Sequence, residues 1–188
     1  MEIKDFLKDV LQISEDKMVS QIENITTPFR VDKGKLVTLQ GEKQTDFIFL
    51  VSGIFRGYYI DANGEEVTDC FGIKAGTPCM SIAVNNGISP INIQAVTTCD
   101  FVKISASSLM PLLEQSVLLL RIYIDILQTA LQVHWNQKVI ITQHNSADRY
   151  RWFMESFPNL SEKVKDKDIA SYLGMSPVTF SRVKNIMS

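Results

Sequence analysis

The sequence is poor in the residues from which metal sites and disulfide frameworks are built. Its three cysteines, Cys70, Cys79 and Cys99, are scattered and form no Cys-x-x-Cys pair, so the pattern of a zinc knuckle or an iron–sulfur site is absent. The only histidines are His134 and His144. We therefore predict reduced cysteines packed in a core, and we expect no metal, haem or other cofactor.

A strong charge of either sign and a long apolar run are also absent. The formal net charge is −2 over 188 residues, and 45% of the residues are hydrophobic and 21% charged, which is typical of a soluble globular protein. The most apolar stretch, Val117 to Leu127, is interrupted by Arg121 and Asp125 and is too short to span a bilayer. No apolar signal segment follows the N-terminal Met-Glu-Ile-Lys-Asp. We expect a cytoplasmic protein without a membrane partner.

Glycine is nearly confined to one region of the chain. Eight of the nine glycines lie between residues 34 and 87, and the ninth is Gly174. The same part of the chain is rich in short strand-like runs, which turn signals such as Asp61-Ala-Asn-Gly64 separate. The runs cover residues 35–39, 46–51, 53–60, 66–71, 91–96 and 99–104. Many short strands at this spacing predict a jelly roll or small barrel. The sequence predicts a helix over 14–24 before it and another over 105–115 after it.

Residues 116–143 predict one long helix, about 40 Å at 1.5 Å per residue, with two apolar stripes. One stripe follows alternating steps of four and three, which is a heptad seam. It comprises Leu120, Ile124, Leu127, Leu131, His134, Lys138 and Ile141. The stripe beside it comprises Leu119, Tyr123, Ile126, Ala130, Val133 and Ile140. A helix with two apolar stripes needs two partners.

We therefore predict that the barrel covers one stripe and that the same helix of a second subunit covers the other. The predicted dimer interface is Leu120, Ile124, Leu127, Leu131 and His134. The alternative is a core helix covered entirely by its own barrel.

The residues from 166 to 185 predict two short helices joined by a tight turn. Ala170 is small enough to let the helices approach, and Gly174 allows the bend. Ser176 is a good N-cap and Pro177 a favoured first helical residue. Phe180, six residues beyond the glycine, is placed to fix the crossing. This spacing is typical of a DNA-binding helix-turn-helix, and the alternative is an ordinary helical hairpin.

The outward face of the second helix carries hydroxyl groups and cations. Arg182 is best able to make a bidentate contact to guanine O6 and N7, and Lys167 and Lys184 are predicted phosphate contacts. The predicted DNA-binding residues are Lys167, Ser176, Pro177, Val178, Thr179, Ser181, Arg182 and Lys184. Residues 144–188 hold 7 Lys and Arg against 5 Asp and Glu, whereas residues 1–143 hold 12 against 16. The positive end of the chain is therefore the end with the helix pair.

Helix, glycine-rich barrel, long helix and helix-turn-helix, in this order, resemble the Crp/Fnr family of bacterial transcription regulators. The resemblance spans nearly the whole chain. Three segments carry it: Asp46-Phe-Ile-Phe-Leu-Val-Ser-Gly-Ile-Phe-Arg-Gly-Tyr59, Ser146-Ala-Asp-Arg-Tyr150 and Ile169-Ala-Ser-Tyr-Leu-Gly-Met-Ser-Pro-Val-Thr-Phe-Ser-Arg182.

The resemblance implies an α+β fold in three segments. These are an N-terminal cyclic-nucleotide-binding-like jelly-roll barrel with flanking helices over 1–115, a dimerisation helix over 116–143 and a helix-turn-helix domain over 144–188. It also implies a homodimer that binds palindromic double-stranded DNA and regulates transcription. RNA polymerase and an unknown small-molecule effector are further candidate partners.

The sequence departs from the cyclic-nucleotide-binding members of the family in the barrel. In those members a Gly-Glu-Leu loop and a following Arg-Ser-Ala hold the ribose and the cyclic phosphate. Residues 76–94 contain no acidic residue, and Ser89 and Pro90 stand where the Arg-Ser pair is expected. A buried anion without its arginine loses a charge-assisted contact, so we predict that cyclic AMP is not the effector. The candidate effector-pocket residues are Thr77, Cys79, Met80, Ser81, Ser89 and Pro90.

A second departure lies at the DNA-binding end. Many members place Arg-Glu at the start of the recognition helix, where this chain has Pro177 and Val178. Because the sequence stops at Ser188, we expect a helix-turn-helix domain that lacks a full β-hairpin wing.

Two other classes of function are alternatives to a DNA-binding regulator. A cupin-type enzyme would need histidine and carboxylate ligands on the barrel strands, and both histidines lie outside the barrel. We therefore expect no enzymatic activity. The other class is a ligand-binding or protein-interaction module whose helix-turn-helix no longer binds DNA.

Overall fold

The computed structural model describes residues 1–79 and 87–187. These residues form two compact units. The first comprises Met1–Gly57 and Phe71–Leu127, and the second comprises Tyr58–Cys70 and Gln128–Ser188. The division into segments 1–115, 116–143 and 144–188 stays a prediction.

Two helical segments open the first unit. Helix α1 (Ile3–Asp5) continues into a π-helical turn (Phe6–Val10), and α2 covers Asp16–Glu23. The helix predicted over 14–24 is therefore two residues shorter at its start than expected. Glu15 occupies its N-cap position, without a side-chain capping hydrogen bond. The side chains of Phe6 and Leu7 are fully buried, so the π-helical turn anchors the N-terminus in the core.

Seven strands follow in the part of the chain that is described, and each of the six predicted runs coincides with one of them. The strands are β1 (Thr26–Val31), β2 (Leu36–Thr38), β3 (Asp46–Ser52), β4 (Phe55–Ile60), β5 (Glu66–Gly72), β6 (Asn92–Ala95) and β7 (Cys99–Ser105). They form a three-stranded sheet in the order β1-β7-β3 and a four-stranded sheet in the order β2-β6-β4-β5. The pairs β1–β7, β3–β7 and β2–β6 are antiparallel. The expectation of a barrel is wrong in this respect, because in residues 1–79 and 87–187 the strands form two separate sheets that do not close into one ring.

Strand β1 was not predicted from the sequence. Its middle residue Pro28 stands opposite Val102 of β7. Proline has no backbone N–H to donate, so it is confined to edge strands or bulges in a sheet, and β1 is such an edge. A proline within a run argues against a strand when only the sequence is known.

The core of the first unit lies between the sheet β1-β7-β3 and the helices. It contains Phe6, Leu7, Leu11, Ile13, Val19, Ile22, Phe47, Phe49, Val102, Ile104, Leu109, Leu113 and Leu119. The last three of these come from α3 (Ala106–Gln115) and from the start of α4 (Val117–Gln143). Ser116 caps the start of α4, because its hydroxyl accepts a hydrogen bond from the Leu119 N–H at 3.3 Å.

Helix α4 uses its two apolar stripes differently. In the first unit, Leu119 is buried, and Tyr123 and Ile126 are partly buried against the core. The ring of Tyr123 meets that of Phe47 edge-on at 5.8 Å between centroids. The heptad seam remains uncovered in the single chain, with exposed fractions of 42% at Leu120, 41% at Ile124, 36% at Leu127 and 68% at Leu131. His134 is exposed as well. The inner stripe is thus packed as predicted up to Ile126, whereas Val133 is 48% exposed.

Helix α4 is longer than the apolar stretch from Val117 to Leu127 that was expected to be too short for a bilayer. Its 27 residues contain a window with a mean hydropathy of 1.2, so length and composition alone would allow it to cross a membrane. The expected limit of residues 117–127 therefore does not apply to the whole helix. Arg121 and Asp125 are costly in lipid, and the inner stripe packs on protein.

The second unit combines a β-hairpin tip, the C-terminal part of α4 from Gln128 onward, and four short helical segments. In the hairpin, the Asp61 carboxylate accepts hydrogen bonds from the N–H groups of Asn63 and Glu65 at 2.8 and 3.0 Å, which closes the predicted turn. The helices after α4 are α5 (Ser146–Ser156), a 3₁₀ turn (Leu160–Glu162), α6 (Asp166–Tyr172) and α7 (Pro177–Met187). The last two form the candidate site.

Candidate nucleic-acid interface

The turn between α6 and α7 is closed by two backbone hydrogen bonds. Met175 N–H donates to the Ala170 carbonyl at 2.8 Å, and Gly174 N–H donates to the Ser171 carbonyl at 3.0 Å. This pair of bonds is a Schellman motif, which requires a left-handed residue after the helix. Gly174 supplies it with φ of +62°. A β-carbon there would also lie 3.1 Å from Cγ2 of Ile141.

The first turn of α7 is capped as predicted. The Ser176 hydroxyl accepts a hydrogen bond from the Thr179 N–H at 3.1 Å. Pro177 is the first helical residue, where the missing N–H leaves nothing unsatisfied. Local hydrogen bonds therefore fix both the end of α6 and the start of α7.

An aromatic cluster packs against the buried sides of α6 and α7. Phe180 of α7 is buried and packs on Tyr150 of α5, with 5.7 Å between ring centroids. Tyr172 of α6 is buried and meets the ring of Phe153 at 5.9 Å. Burial raises the pKa of Tyr172 far above its ordinary value, with a smaller contribution from nearby residues of β5. The phenol therefore stays neutral at any physiological pH.

Arg149 of α5 holds the turn from the side. Its guanidinium donates to the carbonyl oxygens of Leu173 and Gly174 at 3.2 and 3.3 Å, and through Nε to that of His144 at 2.8 Å. Gln137 of α4 donates to the Tyr172 carbonyl at 3.2 Å. The last carbonyl groups of a helix have no partner within the helix, so side chains must satisfy them. Arg149 and Gln137 do so here, and they join α4, α5 and α6.

Arg149→Met is expected to lower the free energy of unfolding by about 1.5–3 kcal/mol, because it removes hydrogen bonds from a charged donor and leaves carbonyl groups of the turn without it. Urea unfolding in a Trp135→Phe background, followed by the fluorescence of Trp152 in the aromatic cluster, measures the change. The matched control is Arg151→Met on the same helix. Arg151 makes an exposed ion pair with Asp148, so its loss should cost less than about 1 kcal/mol. Equal effects of the two substitutions would contradict this role of Arg149.

The outward face of α7 carries most of the predicted DNA-binding residues. Ser176, Pro177, Val178, Ser181 and Arg182 are exposed, and Thr179 is partly exposed. Arg182 makes no hydrogen bond or ion pair with residues in the described ranges 1–79 and 87–187. No acidic residue occurs between positions 176 and 187. The face therefore offers a cation, hydroxyl groups and one aliphatic side chain.

The two predicted phosphate contacts differ in their surroundings. Lys167 of α6 is exposed. Lys184 of α7 instead donates to both carboxylate oxygens of Asp166, each at 2.8 Å, and so links the end of α7 to the start of α6. Lys184 would have to share or leave this ion pair to reach a phosphate. Lys167 is therefore the better candidate.

A further contact joins the hairpin to α6. The Ser171 hydroxyl accepts a hydrogen bond from the Thr68 N–H at 2.9 Å and lies 3.5 Å from the Glu66 carbonyl oxygen. Strand β5, which contains Glu66 and Thr68, is an edge strand. A helical serine thus satisfies an outward-facing N–H of the sheet edge.

The four described candidate effector residues, Thr77, Cys79, Ser89 and Pro90, lie in the first unit, and two of them donate hydrogen bonds to backbone carbonyls close by in the sequence. The Thr77 hydroxyl donates to the Lys74 carbonyl at 2.7 Å, and the buried Ser89 hydroxyl donates to the Ile91 carbonyl at 2.6 Å. Cys79 is buried and Pro90 is partly buried. Met80 and Ser81 fall outside the described residues.

Cysteine chemistry offers no second site in the described part of the chain. None of the three cysteines forms a disulfide within the described residues, and Cys79 and Cys99 are buried. Burial raises the pKa of the Cys99 thiol, which disfavours the reactive thiolate. Within residues 1–79 and 87–187, no group of three or more histidine, cysteine, aspartate or glutamate side chains could hold a metal ion.

No protein-family model and no curated protein sequence matches the chain. Solved structures do match. FixK2 from Bradyrhizobium japonicum superposes with a TM-score of 0.76 at 16% identity, covering 87% of this chain and 84% of that one. The c-di-GMP-responsive global regulator CLP of Xanthomonas campestris gives 0.75 at 15% identity, covering 92% and 91%. A protein of Eubacterium rectale assigned to the Crp/Fnr family of transcriptional regulators gives 0.76 at 16% identity, covering 95% and 85%.

The chain has the fold of these regulators. The likeness covers most of each chain, so it includes sheets and helices together. Its function has to be argued from the site, because one fold can serve unrelated functions.

Sequence reasoning missed the residues that position the helix pair. Arg149, Gln137 and Ser171 each bond to a backbone group 24 or more positions away in the sequence. Arg149 and Ser171 left a signal, since they lie in the segments 146–150 and 169–182 that resemble the Crp/Fnr family, whereas Gln137 left none.

Proposed function

We propose that the protein is a transcription regulator of the Crp/Fnr type that binds double-stranded DNA through α6 and α7. The observation that carries the proposal is the geometry of the helix pair. A glycine turn, a capped second helix and an outward face of hydroxyl groups with Arg182 occur together, and Phe180 packs this helix pair on Tyr150 of α5. The likeness of the fold to solved regulators supports the same function.

In this proposal α7 is the recognition helix. A recognition helix lies in the major groove with its N-terminal residues at the base edges, while the first helix crosses the backbone. Arg182 would donate to a guanine, and the Ser176 and Ser181 hydroxyls would contact bases or phosphates. Lys167, on the exposed side of α6, would contact a phosphate.

The proposed regulator is a homodimer. The support is the uncovered heptad seam on α4, where Leu120, Ile124, Leu127 and Leu131 form a continuous apolar stripe. A parallel copy of the same helix would cover this stripe by coiled-coil packing. Two helix pairs would then bind two half-sites of a palindrome.

Fluorescence anisotropy tests DNA binding most directly. A labelled fragment from upstream of the protein's own gene is compared with random DNA of equal length, over a range of salt concentrations. We expect binding to the upstream fragment to be about 10³-fold tighter or better, with an affinity that falls linearly on a log–log salt plot. Absence of any DNA binding by the folded dimer would favour a ligand-binding or protein-interaction module.

The proposed regulator does not respond to cyclic AMP. Residues 77–92 contain no Lys, Arg or His, and the Thr77 and Ser89 hydroxyls already donate to backbone carbonyls. Arg56 on β4 is a buried cation, but it already interacts with other residues of the protein. A cyclic phosphate keeps its charge on entering a pocket, so it needs a cation or several converging donors.

Calorimetric titration with cyclic AMP and cyclic GMP is therefore expected to show no saturable heat up to millimolar nucleotide. Micromolar binding, or a nucleotide-dependent gain in DNA affinity, would contradict this prediction. RNA polymerase and an unidentified effector stay predicted partners.

A further inference from the structure

Val178 is an apolar side chain placed where a recognition helix meets the bases. It is the second residue of α7 and is 60% exposed. The helix does not use it for packing, since Phe180 fills that role on the buried side. Its position in the first turn distinguishes it from Ile186, which is 83% exposed near the other end of α7.

Val178 and Arg182 lie on the same face of α7. Residues four apart on a helix are neighbours, about 5–6 Å from each other. Successive bases of a strand are about 3.4 Å apart along the DNA axis. The two side chains can therefore face base pairs that are one or two steps apart.

The chemistry of Val178 restricts what it can distinguish. Valine has no donor or acceptor, so the hydrogen-bonding groups of guanine, adenine and cytosine give it nothing to bind. Thymine differs from the others by its C5 methyl group in the major groove. A β-branched residue in a helix has one strongly preferred rotamer, so its methyl groups hold a fixed position. The face also lacks a carboxylate that could accept from the cytosine amine.

We propose that Val178 selects a thymine in each half-site by packing on its C5 methyl group, one or two base pairs from the guanine that Arg182 contacts. This inference rests on the proposed DNA-binding function and names a determinant of its specificity. The same contact is available from 5-methylcytosine. A site with that base is therefore expected to bind better than the site with unmodified cytosine at the same position.

The test begins by selecting the preferred site of the wild-type dimer from random DNA. Uracil then replaces the proposed thymine, which removes the methyl group and leaves every hydrogen-bonding group in place. Loss of one buried methyl-sized contact is expected to weaken binding about fourfold in each half-site, or about 15-fold when both are changed. Uracil at a thymine outside the contacted positions should have no effect.

Val178→Ala completes a double-mutant cycle in which the protein side chain and the DNA base are changed separately and together. The variant should bind the thymine site more weakly and should no longer distinguish thymine from uracil. Because Val178 is exposed, the substitution leaves the core intact. Ile186→Ala is the matched control, since it also shortens an exposed aliphatic side chain of α7. It should retain the full preference of the wild type for thymine.

The outcomes separate this inference from the function on which it rests. If the wild type selects no DNA sequence at all, both the proposed function and the role of Val178 are overturned. Suppose that the wild type selects a site but binds the uracil site as tightly as the thymine site. Only the role of Val178 is then overturned. The same conclusion follows if uracil weakens the binding of Val178→Ala as much as it weakens that of the wild type. A loss on uracil that disappears in Val178→Ala supports it.

Discussion

Leu127→Asp is expected to be a monomer where the wild type is a dimer. Leu127 lies in the middle of the uncovered seam, between Ile124 and Leu131. In the dimer the substitution would bury a carboxylate from each subunit in an apolar interface, which costs several kcal/mol unless the interface opens. A cost of about 4 kcal/mol raises the dimer dissociation constant about a thousandfold. Sedimentation equilibrium at micromolar protein measures the shift.

Gln132→Asp is the matched control for the seam. It introduces the same charge on the same helix at an exposed position that does not belong to either apolar stripe. Its dissociation constant should stay within a few-fold of the wild type. A wild type that is already monomeric would contradict the assignment of the second stripe to another subunit.

Arg182→Ala is expected to lose about 1–3 kcal/mol of binding free energy per half-site on the specific DNA, and to flatten the preference at one base pair in each half-site. The reason is that a bidentate contact to guanine O6 and N7 has no substitute on this face. Titration of the selected site and of its single-base variants by fluorescence anisotropy measures both effects.

Lys167→Ala serves as the comparison for Arg182. As a phosphate contact, Lys167 should contribute equally to all DNA, so its loss should lower the salt slope by about one without changing the preferred sequence. Lys184→Ala is less informative, because it also breaks the ion pair with Asp166. Equal losses on specific and random DNA for Arg182→Ala would reassign Arg182 to a phosphate.

The elements that the sequence predicts correctly are those fixed by local interactions. The turn at Gly174 and the cap at Ser176 depend on hydrogen bonds that span three to five residues. The inner stripe of α4 follows from helical periodicity alone. For such features the pattern and the physical cause lie in the same short segment.

Features that depend on distant parts of the chain escaped prediction. Strand β1 forms because it pairs with β7, about seventy residues later in the sequence. Pro28 made this segment look unlike a strand when only the sequence was considered. Whether two sheets close into a ring depends on which edges meet, which no single segment encodes. The ion pair of Lys184 with Asp166, 18 positions away, likewise appears only once the helices are packed. In the candidate site, chemistry was therefore predictable residue by residue, but its supporting contacts were not.

Because the Thr68 N–H donates to Ser171, the exchange of this amide proton of the sheet depends on the contact with α6. An N–H on the outer side of an edge strand normally exchanges quickly with solvent, whereas this one has a hydroxyl oxygen at 2.9 Å. Its deuterium exchange rate should therefore record how often α6 leaves β5, without any label or DNA in the sample. The opening of the α6–β5 contact can thus be followed at a single backbone amide of the sheet.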